Sequence, residues 1–169
     1  DMKEAIHGVY KSKNWTTLPD LLEREKIKTN WLHIYETSEQ IPSISSAKKI
    51  IRSFNSSNEN EQNHVTLDSF LTIGVLIKSL QNLFKIAFLT NKLTRGAKQQ
   101  CSFYWPLFEK DFKLSLIGKT AISNLLFYFL FERAMGLLPP QKRGIYLQEN
   151  QGWEACLISA WRSAGHGNQ

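Results

Sequence analysis

A chain of 169 residues that is 42% hydrophobic, 21% charged and 12% aromatic has the composition of a folded domain with a real core, not of a disordered segment. Its formal charge is +6 and its pI about 9.3, yet the lysines are scattered and form no run of like charges. That balance is compatible with a nucleotide-sugar, a membrane face or RNA as an anionic partner, while the absence of the interleaved basic and aromatic pattern of an RNA-binding sheet argues against nucleic acid. Two cysteines, Cys101 and Cys156, are too few for a disulfide scaffold and lack metal-ligand spacing; reduced thiols, a cytoplasmic setting and no metal are expected.

No apolar signal run follows Asp1-Met2-Lys3-Glu4, and both ends read as cut points in a longer protein. Residues 5–10 suit a short strand. Thr17-Leu18-Pro19-Asp20 opens a helix to about Lys26, with a capping hydroxyl and an early proline. Asn30–Tyr35 reads as a buried strand, being aromatic and β-branched between polar residues. Ser45–Phe54 follows as a helix with Lys48, Lys49 and Arg52 outward. Residues 55–64 carry no apolar side chain and are expected to be an exposed, mobile loop. From Thr66 to about Leu93 apolar residues recur at threes and fours, which predicts a long helix with a broad buried stripe. Asp68, Lys78, Gln81, Asn82 and Lys85 interrupt that stretch, so no membrane crossing is expected.

Gly96–Gln100 reads as a loop, and Pro106 disfavours helix just before it in the aromatic segment Phe103–Phe108. Ser115–Leu138 is the next predicted helix, apolar on every side at Leu125–Phe131 and stopped by Pro139-Pro140. Gly144-Ile145-Tyr146-Leu147 reads as a strand feeding a helix over Trp153–Ala164, closed by Gly165. Strands separated by helices define the expected class: α/β, an open parallel sheet with heavy helical cover, in a single domain.

In such sheets ligands gather beyond the carboxyl ends of the strands, beside helix N-termini. The corner from Glu149 to Glu154 would lie there. Glu149 is the candidate general base or sugar-hydroxyl ligand, Gly152 would admit a ligand close to the backbone, and Trp153 would stack on a sugar ring. Simpler roles stand beside these. Asn150 suits an N-cap and Glu154 a first-turn acid answering the helix dipole, while Trp153, Leu157, Ala160, Trp161 and Ala164 are spaced as a core-facing stripe. His7, His33 and His64 have no partners at catalytic spacing.

The strings Trp105-Pro106-Leu107-Phe108-Glu109-Lys110-Asp111-Phe112, Ser115-Leu116 with Gly118 and Ala121-Ile122, and Tyr146-Leu147 followed by Glu149-Asn150-Gln151-Gly152-Trp153-Glu154, with Ala160-Trp161-Arg162 and Gly165-His166-Gly167, resemble a bacterial surface carbohydrate (O-antigen type) biosynthesis family. The likeness is best over residues 103–167, and Asn30-Trp31-Leu32-His33 fits it too. The resemblance implies a glycosyltransferase-like protein with two Rossmann-like domains facing across a cleft (a GT-B-like architecture), of which this chain is the N-terminal, acceptor-side half. It implies Glu149 as the catalytic candidate. Asn150, Gln151, Gly152, Trp153 and Glu154 would bind substrate, and Arg162 and His166 would reach the donor phosphate. The partners implied are a nucleotide-sugar donor, a glycan acceptor and a C-terminal domain of the same protein, with no separate cofactor. A non-catalytic scaffold of polysaccharide assembly, held at the inner face of the inner membrane by its aromatic and basic surface, is the alternative.

Overall fold

The computed structural model describes residues 10–12, 14–56 and 62–167; the expected strand at 5–10 lies outside them except for Tyr10. The chain divides into two compact units, residues 1–69 and 70–169.

In the first unit, α1 (Leu18–Arg24) begins with Pro19 in its first turn, where the missing N–H has no helical partner to lose. Strand β1 (Thr29–His33), helix α2 (Ile44–Ser56) and strand β2 (Gln62–Thr66) form one β-α-β crossover. The strands are parallel, with Trp31 opposite His64 and His33 opposite Thr66. The end of the polar stretch 55–64 is therefore strand and not loop. Gln62 and His64 are buried, and Asn55 fixes His64 by lending its amide to the backbone. Its Nδ2 donates to the His64 carbonyl at 2.9 Å, and its Oδ1 accepts from the His64 N–H at 2.8 Å. A side-chain amide here satisfies the backbone of a strand residue, which a count of apolar residues cannot reveal.

The second unit is helical. A 3-10 turn over Leu67–Phe70 precedes α3 (Ile73–Gln100), then α4 (Trp105–Ile117), α5 (Lys119–Leu137) and α6 (Gly152–Ser163). Thr72 caps α3 by accepting from Val75 N–H at 3.3 Å. The helix runs on through Gln100, so Gly96–Gln100 is not a loop. Pro106 sits in the first turn of α4 rather than before it, and the helix expected over 115–138 is two helices. They meet at Gly118 with a bend of 56°. A Cβ at Gly118 would stand 2.8 Å from the Leu114 carbonyl oxygen, so the corner requires glycine. Helix α5 is the hub, packing on α3, α4 and α6 and burying Phe129, Leu130, Phe131, Ala134 and Met135.

The open, Rossmann-like parallel sheet is not present. The described residues are mostly helical, and their sheet has two strands. Gly144–Leu147 belongs to neither helix nor strand, with Ile145 exposed. Among the described residues its β-forming side chains have no strand beside them to complete a ladder.

Candidate functional site

The corner at residues 149–154 is a helix start held by its own side chains. Glu154, buried at the third position of α6, accepts through one carboxylate oxygen from the Gln151 N–H at 2.8 Å and the Glu149 N–H at 2.7 Å. The N-cap is Gln151, not Asn150; Asn150 takes a left-handed φ of 57°, a conformation asparagine tolerates better than most residues. The Glu154 carboxylate thus satisfies two N–H groups that the first turn leaves open. Glu149 is exposed, and no strand carries it to a sheet rim.

Trp153 is half-buried between Phe131 and Tyr146, with ring centroids 6.2 Å away from each. A Cβ at Gly152 would stand 2.7 Å from Asn124 Oδ1, so the approach that this glycine permits is taken up by the chain itself. Cys156 donates its thiol toward the Gly152 and Asn124 carbonyls at 3.5 and 3.6 Å, and burial holds that thiol above its usual pKa. His166 is buried. Its Nδ1 accepts from the Gln141 N–H at 3.2 Å and its Nε2 donates to the Met135 carbonyl at 2.8 Å. With the Gly167 N–H on the Gln141 carbonyl at 2.7 Å, it ties the irregular segment after α5 to the end of α6. Of the predicted substrate ligands, Arg162 is exposed on the last turn of α6. The structure brings Gln151, Trp153, Glu154 and His166 into the packing and capping of α6, and leaves Glu149 and Arg162 in solvent.

His33 and His64 do have a partner in each other. His33 Nε2 and His64 Nδ1 share a hydrogen bond of 3.1 Å, and their rings stack at 13°. Tyr10, Trp31 and Phe54 surround His64. Burial depresses both imidazoles to a pKa of about 4, with the charge of His33 adding to the effect at His64. Two neutral rings, one donating and one accepting, form a structural bridge between β1 and β2. Among the described residues no group of three or more His, Cys, Asp or Glu is placed to hold a metal.

What the structure leaves open is a face. Helix α3 turns Val75 and Ser79 inward but exposes Ile73, Ile77, Leu80, Phe84 and Phe88, Phe84 by 71% and Phe88 by 89%. The broad apolar stripe expected to be buried is therefore buried only along one edge. Phe103, Tyr104 and Leu107 at the start of α4 are exposed as well. Helix α3 carries Lys78, Lys85, Lys92, Arg95 and Lys98 and no acidic residue. In the sequence, the signal for this face was the combination of apolar residues on more than one side with one sign of charge.

A second feature lies between the latter half of α3 and α4. A hollow of about 670 Å³ is lined by Thr94, Arg95, Lys98, Trp105, Glu109 and Lys113 among others. Lys113 donates to the Glu109 carboxylate at 2.6 Å, and that bond, with the charges of Lys113 and Lys98, holds the Glu109 carboxyl below its usual pKa. The Trp105 indole N–H leans toward the same carboxylate without completing a hydrogen bond. Neither it nor the buried Thr94 hydroxyl has a partner at hydrogen-bond geometry.

No family model, curated protein or solved structure matches the chain.

Proposed function

We propose that this chain is a non-catalytic interaction domain that seats on an anionic membrane surface, as part of the surface-polysaccharide machinery that the resemblance over residues 103–167 implies. The exposed stripe of α3 carries the reading. Ile73, Ile77, Leu80, Phe84 and Phe88 recur at threes and fours and so lie on one side of the helix. Lys78, Lys85 and Lys92, seven residues apart, run along one flank of that stripe, Lys78 also reaching Glu132 at 3.2 Å in an exposed ion pair. Only 11% of the most apolar window of α3 is buried, and an apolar surface of this kind needs a cover.

Helix α3 is 28 residues long with a window of mean hydropathy 1.3, enough by length and composition to cross a bilayer. The lysines favour lying in the plane instead. In a crossing helix, those near the bilayer centre would each cost about 2.5–3.5 kcal/mol. Parallel to the surface, each reaches the headgroups and contributes about 1 kcal/mol against anionic lipid, while the phenylalanines enter the acyl boundary. Glycosyl transfer at Glu149, the other role implied by the resemblance, has no comparable geometric support, because the carboxylate stands at no strand end.

Flotation with vesicles of phosphatidylglycerol and phosphatidylcholine tests the reading. The chain should float with the anionic vesicles, less so as salt rises, and not with phosphatidylcholine alone. The pair Phe84→Glu and Phe88→Glu should abolish flotation, and Lys85→Glu with Lys92→Glu should weaken it by at least about tenfold. A chain that stays in solution, or one that covers this face with a second copy of itself, would overturn the proposal.

A further inference from the structure

We infer that the hollow between α3 and α4 is a binding site for a phosphate-bearing group, with Arg95, Lys98 and Lys113 as its cations. Four charged side chains meet there, three positive and one negative, leaving a net charge that matches a phosphate dianion. Arg95 brings a planar fork suited to two oxygens at once, and the two lysines bring mobile point charges.

The surroundings add two observations that the cations alone do not. First, the hollow already collects an anion: the Glu109 carboxylate is held by Lys113 and drawn by Lys98 and the Trp105 indole. Second, two donors lack a completed hydrogen bond. Trp105 is 3% exposed, and neither its indole N–H nor the Thr94 hydroxyl has a hydrogen-bond partner. Core packing alone has no use for unpaired donors beside a cationic hollow, since each remains desolvated and unbonded. A phosphate entering over Arg95 and Lys98 displaces Glu109 from in front of Trp105, and its oxygens supply the acceptors that these donors lack.

A soluble phosphate ester and a lipid headgroup present the same chemistry, and the site is distinct from the apolar stripe, so it does not depend on membrane seating. Two arms separate the sources. In the first, the whole chain is titrated with inorganic pyrophosphate while the Trp105 indole N–H resonance is followed, assigned by its loss in Trp105→Phe. A saturable shift, weakened at least about tenfold in Lys98→Glu and in Arg95→Glu, marks a soluble ligand. In the second, flotation is compared between phosphatidic acid and phosphatidylglycerol vesicles matched in total charge. A preference for phosphatidic acid that those two variants abolish marks a headgroup. Either result supports the site. It is overturned if neither appears, or if what appears is unchanged in both variants. Phe84→Glu with Phe88→Glu separates the phosphate site from the membrane-seating face, because it should end flotation and leave the pyrophosphate titration unaltered.

Discussion

His33 and His64 set the acid limit of the first unit. An unfolded imidazole titrates near its ordinary value of 6.5, whereas both are held at about 4 in the folded chain. Between those values the unfolded state binds more protons, so the stability associated with the pair is fully present above about pH 6.5 and is lost as pH falls through about 4. A tenfold difference in proton affinity between folded and unfolded chain corresponds to about 1.4 kcal/mol, which makes the acid loss on the order of a few kcal/mol. Denaturant unfolding at steps from pH 7 to pH 4 should show that decline, and His33→Phe should flatten part of it. A level profile would mean that the stacked pair opens without cost. The sequence displayed both histidines, but their meeting depends on parallel register, which places Trp31 and not His33 directly opposite His64. Glu149 shows the reverse: its residue type was suggestive, but the role required a strand that needs a neighbour absent from the described residues.

Elements were more legible than their junctions. Helices α1, α2 and α6 and strand β1 fall within a few residues of where proline and periodicity place them, because those signals are local, although the Thr17 hydroxyl makes no cap hydrogen bond. The corner at Gly118 and the irregular backbone at Gly144–Leu147 were not legible, since one depends on a close backbone approach and the other on the lack of a partner strand among the described residues. The start of α6 allows a direct test. Glu154 serves both the Gln151 and the Glu149 N–H, so Glu154→Ala should destabilise the second unit by about 1–2 kcal/mol, more than an exposed carboxylate would. Glu149→Ala, which removes only an exposed side chain, should fall within about 0.5 kcal/mol of the parent. Thermal melts of the two variants decide between a cap at Glu154 and a working acid at Glu149. Equal and negligible effects would deny the cap.

At the scale of the molecule, the expected open α/β sheet gives way to a single β-α-β crossover in residues 1–69, and the described residues of 70–169 form helices without a strand. The polar stretch before β2 hid the second strand, and the length of α3 hid the fact that its apolar residues serve two faces. Each unit has its own buried aromatic residue, Phe54 against Tyr10 and His64 in the first, and Phe131 on α5 in the second. A buried cluster within each unit predicts an unfolding step for each. Phe131→Ala removes a side chain that is 1% exposed and should lower one step by about 3–5 kcal/mol. Phe54→Ala, from a smaller cluster at 8% exposure, should lower the other by somewhat less. Urea unfolding followed by tryptophan fluorescence can assign the steps, because Trp15 and Trp31 report on the first unit and Trp105, Trp153 and Trp161 on the second. If either substitution shifts one common transition seen by all five indoles, the cores are coupled. Acid loss of the histidine bridge would then weaken the helices of residues 70–169 as well as the small sheet.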